Sequence, residues 1–560
     1  MKKRLDEQKK EQKNLFIAML AIVAVLFLSK VFFPMSGSVE LTPPTTQNVA
    51  APVEKTPAAL VEKESPAATP TLIPATAQTP VKNITIQSNL LSGSMQDNGG
   101  TLNNLSLLNY RETAQKDSSN VRLLDDAYAA SLSWISPDMS LPMDRMAWVY
   151  ENATLTPFTP VVMTWSNDTV KITRTIEMDE GYMFKITDKV DNLSGQNISM
   201  ALLGQINRKM TDEPSRSTVH EGFVGYLNSK LVEERYSSVK DTPYSQSTTN
   251  GWAGLTDKYW QTIFVLEKNE SARIDFGYAN DAYRASFQTA YQTVAPFGSY
   301  TKTTRLFAGA KDVDIINAYE KDLGIQRFDL TIDYGWFYFL TKPFLYFLNW
   351  LYEMVGNMGI AILIFATLLR ILLLPIATKS YESMAKMRKI QPKVKELQAR
   401  YKDDRMRLQQ ETLALYKRDK VNPASGCLPL LLQIPVFFAL YKVLSVSLHM
   451  RQAPFFGWIT DLSARDPSSV FTFFGMLQWP IPSFLDLGVW PILMGITMYV
   501  QQRLSAQPMA DKAQENMMKM MPLVFTFMLG NFASGLVIYW TWSNILSILQ
   551  QKYIMKKVGV

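Results

Sequence analysis

Residues 359–378 read GIAILIFATLLRILLLPIAT, a long apolar run with a single charge inside it, Arg370. The nearest charges outside the run are Glu353 and Lys379, which leaves Arg370 nine residues from the polar end. At about 1.5 Å of rise per residue the guanidinium would lie roughly 13 Å deep in a hydrocarbon core about 30 Å thick. An arginine at such depth costs on the order of 2.5–3.5 kcal/mol on insertion scales, and residues of this kind face a bundle interior or a wet cavity. The alternative is that Arg370 snorkels to the headgroups or pairs with a structural acid. Gly356, Gly359, Ala366, Thr367 and Ala377 recur at three- and four-residue spacing. They form a small or polar stripe on the arginine's side of a helix, with Ile and Leu opposite. The pattern predicts a membrane span over 355–378 with Arg370 facing a cavity.

The rest of the chain fits a membrane protein with a large soluble part. It has 560 residues, more than one average domain, and a mean hydropathy of −0.05 that averages polar regions with strongly apolar ones. One cysteine, Cys427, rules out an intramolecular disulfide framework. With His220 and His449 as the two histidines, a His/Cys metal site is not expected. Phosphate-loop, HExxH and GxSxG signatures do not occur. No catalytic residue, metal or cofactor is therefore predicted.

Residues 1–13 are basic (KKRLDEQKKEQK over 2–13) and precede an apolar stretch, 14–33. The charge excess places the N-terminus in the cytoplasm and the residues after the apolar stretch outside. A cleaved signal peptide is the alternative, with Ser36-Gly37-Ser38 as a small-residue site. Residues 34–82 are rich in Pro, Ala and Thr, a composition that cannot offset its chain entropy, and read as an extended tether.

From 83 to 324 the pattern changes to alternating strands: Asn83–Gln87, Lys171–Glu177, Tyr182–Asp188, Ile198–Leu203, Gln261–Leu266 and Thr303–Phe307. Turn signals at Asp97-Asn98-Gly99-Gly100, Glu180-Gly181 and Asn250-Gly251 separate them. Many short strands with regular turns predict a large extracytoplasmic β-sandwich. It could serve as a scaffold or offer a sugar-binding or chaperone surface. A short helix is expected over Lys311–Leu323, ending at Gly324. The aromatic-rich segment 334–352 reads as an amphipathic helix on the outer leaflet, hinged at Pro343.

Between Lys379 and Lys420 thirteen Lys/Arg stand against six Asp/Glu. That excess places 379–427 in the cytoplasm. Met384, Met387, Val394, Leu397 and Tyr401, then Leu408, Leu415 and Tyr416, predict two antiparallel helices that turn at Asp403-Asp404. A span comes next at 428–448, where Gln433 needs a polar partner at depth. The loop 449–486 returns outside, with an interfacial or re-entrant segment near its end. A short span is expected at 487–502 and a cytoplasmic loop at 503–516. Residues 520–551 carry no charge. As one helix they would run about 48 Å, too long for the bilayer. Gly530–Gly535 supplies a turn, so two short spans, 517–530 and 535–551, precede a cytoplasmic tail, 552–560. The chain is thus read as an α-helical polytopic membrane protein plus an all-β domain. Three short spans imply local bilayer thinning.

At LLRILLLPIATKSYESMAKMRKIQPKVKELQARYKDD (368–404), CLPLLLQIPVFFALYKVL (427–444), RQAPFFGWITDLSARDP (451–467), WPILMGITMYVQQRL (490–504) and MPLVFTFMLGNFASGLVIYWTWSNILSILQQ (521–551) the chain resembles the YidC membrane protein insertases of bacterial inner membranes. The resemblance implies six spans with a five-helix core, a periplasmic β-supersandwich, a cytoplasmic hairpin, and an inward-open hydrophilic groove holding one arginine. Arg370 matches that arginine. Thr367, Gln433 and Tyr539 fall at groove-lining positions or beside them, and Ala366 of the small stripe and Trp540 are grouped with them. Trp540 stands where family members often carry a second tyrosine. Lys442, near the outer end of its span, is unusual. The implied partners are nascent membrane proteins, the Sec translocon, the lipid bilayer, and a ribosome through 379–420 and the C-tail. No small-molecule substrate and no cofactor are implied. Both termini would be cytoplasmic and the large domain periplasmic. Two rivals are a small-solute transporter, although no internal repeat is found, and a membrane-anchored carbohydrate-binding or carbohydrate-modifying protein.

Overall fold

The structure is a computed structural model. It describes residues 82–560 except 116, 142–147, 211–218, 402–403, 420, 422–427, 473, 475, 477–485, 506–511 and 559–560. The N-terminal tail, the span over 14–33 and the tether up to residue 81 lie outside the described residues, as does most of the segment expected to be interfacial or re-entrant.

Residues 83–310 form two antiparallel sheets, one eleven-stranded and one nine-stranded, apart from a single parallel pairing. Strand residues alternate between core and surface, as in Tyr128–Ile135 of the larger sheet and Val170–Met178 of the smaller. That period of two is the geometry of a half-buried strand. The inward residues include Trp134, Phe223, Trp252, Phe276 and Phe307, each of which removes a large apolar area from water. The strands lie where the alternation predicts them, and most run longer.

One buried ion pair ties the two sheets together. Arg174 Nε and Nη2 donate to Asp188 Oδ1 and Oδ2, both at 2.7 Å. Trp134 Nε1 of the opposite sheet donates to Asp188 Oδ2 at 2.8 Å, and Arg174 Nη1 donates to Leu132 O at 3.0 Å and to Gly99 O. Both side chains are almost wholly buried. The bidentate geometry and the extra acceptors offset their desolvation.

Helix α1 (Tyr236–Asp241) lies within this β-domain, and α2 (Val313–Asp322) follows it. The Asp312 carboxylate caps α2 by accepting from the Asp314 and Ile315 N–H groups. Next comes α3 (Tyr338–Val355), one unbroken helix that runs through Pro343. The hinge expected there is absent from the helix pattern. Pro343 has no N–H for the Phe339 carbonyl, yet the helix continues through it.

The expected span over 355–378 is not a single straight helix. The chain forms α4 (Met358–Leu372) and then α5 (Leu374–Arg400), bent by 66° at Leu373. Pro375 sits in the first turn of α5. It has no N–H to give, and its ring would clash with the carbonyl of Ile371 in a continuous helix. The proline therefore ends α4 and opens α5. Then come α6 (Arg405–Arg418), capped by Asp404, α7 (Leu428–Val446), α8 (Val489–Ser505), α9 (Lys512–Leu529) and α10 (Ser534–Val558). Among the described residues no single helix is long and apolar enough to cross a membrane. The bent pair α4–α5 meets that test jointly, by length and composition, and Gln433–Val446 and Met518–Leu529 are shorter apolar helices.

Truncating one partner of the Arg174–Asp188 pair strands the other charge in the core, so Asp188→Ala should destabilise the β-domain by about 3–5 kcal/mol. Glu177→Ala, which removes an exposed partner of Lys185, should cost about 0–1 kcal/mol. Denaturant unfolding followed by tryptophan fluorescence checks both, and equal effects would contradict the buried pair's role.

Candidate functional site

Arg370 lies in the last turn of α4. The bend at Leu373 therefore puts its charge beside a helix C-terminus, where the backbone dipole contributes roughly half a negative charge. The guanidinium reaches α10: Nη2 donates to Ser543 Oγ at 2.9 Å and to Ser543 O at 3.2 Å. Among the described residues no carboxylate pairs with it. Both partners shown are neutral acceptors, so the charge is hydrogen-bonded but not neutralised.

One turn earlier on α4, the Thr367 hydroxyl donates to Leu363 O at 2.8 Å and accepts from Trp542 Nε1 at 3.0 Å. On α7, the half-buried Gln433 donates from Nε2 to Tyr539 Oη at 3.0 Å, so the polar partner it was expected to need is the tyrosine of α10. Tyr539 and Ser543 are four residues apart and share a helix face. The structure thus gathers Arg370, Thr367, Gln433 and Tyr539 around one stretch of α10.

Two expected residues stand apart from that group. Ala366 is 1% exposed and packed in the apolar core. Trp540 meets Phe437 edge-on at 4.7 Å and Phe525 at 6.1 Å, so it packs α10 against α7 and α9. The small stripe beside Arg370 dissolves likewise. Gly356 caps α3 with a φ of 69°. Gly359 makes room for a ring, since a Cβ there would stand 2.0 Å from Phe455 Cδ2. Ala377 packs with Tyr381, Met384 and Ile554. Close packing accounts for Gly359 and Ala377, and the left-handed cap conformation accounts for Gly356, where a Cβ would meet nothing within 4 Å.

Sequence reasoning missed Ser543 and Trp542. It also missed the row to which Ser543 belongs. Tyr539, Ser543, Ser547 and Gln551 recur every fourth residue along α10, and all are buried. The row is about 18 Å long at helical rise. Ser547 Oγ donates to Ser543 O at 2.8 Å, Ser505 Oγ of α8 donates to Gln551 Oε1 at 3.3 Å, and Gln551 Nε2 has no hydrogen-bond partner among the described residues. The available signal was this i, i+4 polar spacing in a charge-free segment. Toward the C-terminal end of α10, two hairpin cations bind helix-end carbonyls: Arg388 Nη2 donates to Arg503 O at 3.0 Å and Lys389 Nζ to Val558 O at 2.7 Å. Part of the hairpin's positive charge thus holds α5 against α8 and α10.

Residues 83–347 match the YidC periplasmic domain and residues 350–559 match the 60Kd inner membrane protein family. A membrane protein insertase YidC of Rickettsia bellii is 44% identical over 504 residues, covering 87% of this chain and 90% of that protein. One of Brucella suis is 44% identical over 503 residues, covering 87% and 82%. A crystal structure of an active YidC insertase with its first transmembrane domain resolved is similar over 84% of this chain and 93% of that one, at 18% identity and a TM-score of 0.35. With both halves matched and whole-length relatives at this identity, the chain belongs to the YidC family of membrane protein insertases.

Proposed function

We propose that this protein inserts nascent membrane proteins into the bacterial inner membrane by receiving a client's hydrophilic tail at Arg370. The observation that carries the reading is a cation at the end of α4 whose partners, Ser543 Oγ and Ser543 O, bring no negative charge. An acidic tail would supply it. At about 4 Å and an effective dielectric near 20, a charge pair is worth about 4 kcal/mol before desolvation. Thr367, Gln433, Tyr539 and the polar row of α10 would solvate the tail part of the way across. No covalent step and no cofactor enter. The driving energy is burial of the client's apolar segment, about 25 cal/mol per Å².

The membrane arrangement is part of the proposal. The six spans would be 14–33, the bent 355–378, 428–448, 487–502, 517–530 and 535–551, with both termini cytoplasmic and the β-domain periplasmic. Exposed apolar side chains support it. Leu493, Ile496 and Val500 on α8 and Met520, Leu523 and Val524 on α9 face outward, too large an apolar surface for water. On α3, Phe339, Phe347, Trp350 and Met354 are exposed at helical spacing, which suits a helix lying at the lipid interface. A client span would leave along the outer faces of α7 and α9. The Sec translocon and a ribosome, the latter at the basic hairpin and C-tail, are the further partners of this reading. The carbohydrate alternative has no comparable support, because relatives that cover 87% of the chain are named insertases.

In reconstituted vesicles Arg370→Ala should slow insertion of clients with acidic tails by about tenfold or more, as loss of even 1.4 kcal/mol would, and Arg370→Lys should largely preserve it. Unchanged insertion by the alanine variant would remove the electrostatic role. Deletion of residues 83–310 separates the insertase from a sugar enzyme: the remaining core should keep most of its insertion activity, and its complete loss would favour a site in the β-domain.

A further inference from the structure

Lys442, the unusual cation near the outer end of α7, is held by the β-domain side of the molecule. Its Nζ donates to Asp333 Oδ2 at 2.5 Å. The same oxygen accepts from the His220 N–H at 2.9 Å, and Asp333 Oδ1 accepts from the Gly335 N–H at 3.1 Å. The lysine stem runs under Gly335, where a Cβ would stand 3.3 Å from Lys442 Cε. One carboxylate therefore joins the β-domain, the linker that leaves it, and α7. Both charged side chains are largely buried, at 13% and 17% exposed. Burial pushes the Asp333 carboxyl up, but the Lys442 ammonium, the His220 N–H and nearby Lys311 outweigh it and hold the carboxyl below the usual range.

A second grip lies just beyond the end of α7. Arg451 Nη2 donates to Arg111 O and to Glu112 O, Gln452 Nε2 donates to Arg111 O at 3.0 Å, and the Arg451 guanidinium sits 5.4 Å over the Trp260 ring. The linker itself is fixed to the β-domain, with Phe328 packed edge-on against Trp252 and Phe307. It is fixed to α3 as well, through Asp329, which binds Lys342 Nζ and Tyr338 Oη at 2.6 Å each.

We propose that the β-domain positions α7: Asp333 and Arg451 hold the outer end of that helix and thereby set the place of Gln433 against Tyr539. Lys442 and Gln433 are nine residues apart on one unbroken helix, about 13 Å along its axis. Asp333 and Arg451 are positioning residues that touch no client. The β-domain then steadies one wall of the polar site without supplying it, because the Gln433–Tyr539 bond is made by α7 and α10 themselves. A core without the domain should keep most of its activity, and the role holds whether or not Arg370 receives acidic tails.

The test uses the full-length protein in lipid vesicles, with Cys427→Ser as background and spin labels on cysteines at 230 and 448, one on the β-domain and one in the turn just beyond α7. The parent and Lys442→Arg should each give a single narrow distance distribution. Lys442→Met combined with Arg451→Ala should lose that single population, with the β-domain's thermal unfolding unchanged. A second label pair, at 448 and 553, should broaden in the same variant as α7 loosens against α10. Arg451→Ala alone, a surface change that leaves the core intact, should give a partial broadening. Unchanged distributions in both the single and the double variant would overturn the proposal, as would equal broadening by Lys442→Arg.

Discussion

A guanidinium bound to a serine hydroxyl and a main-chain carbonyl, with no carboxylate beside it among the described residues, is the interaction on which this structure turns. A buried ion pair would settle the charge and close the site. Arg174 and Asp188 show what that looks like in the β-domain, with both groups sealed from water. Arg370 is the opposite case. Its neutral acceptors orient it, and the C-terminal end of α4 stabilises it by a fraction of a charge. A cation kept in this condition favours whatever anionic group can reach it.

Three features make the arrangement tenable. Pro375 breaks the apolar run, so Arg370 ends a helix instead of interrupting one. The every-fourth-residue polar row of α10 lets the guanidinium find oxygen acceptors without a compensating acid. The Gln433–Tyr539 bond brings α7 against the same row, and the β-domain grips α7 from outside through Asp333 and the loop that holds Arg451. The polar side chains of these helices are thus paired both across helices and with carbonyls one turn back on their own helix, as burial away from water demands.

The two-part organisation, the strand positions and the polar residues Arg370, Thr367 and Gln433 were legible in the residues themselves, and Tyr539 only through the family resemblance. Alternation and charge asymmetry are local patterns, and an expensive arginine or glutamine in an apolar run announces itself. The remainder was hidden for physical reasons. Ser543 is 173 residues from Arg370, and no local pattern selects one serine among several on α10. A stripe of small residues reads the same whether it lines a cavity or admits a ring, and Phe455 against Gly359 shows it was the latter. Pro375 lies inside an apolar run whose length alone suits one span, and only the folded chain shows that it divides the run into two helices. Lys442 found its explanation only when a loop more than 100 residues away folded over it.

The central claim is that a client's hydrophilic tail passes between α4, α7 and α10 beside Arg370. Photoreactive probes placed singly at 367, 433 and 543, with a control at the exposed position 372, test it most directly on a stalled nascent chain with an acidic tail. The tail should be captured at the three site positions and not at 372. Capture at 372 with none at 367, 433 or 543 would contradict it.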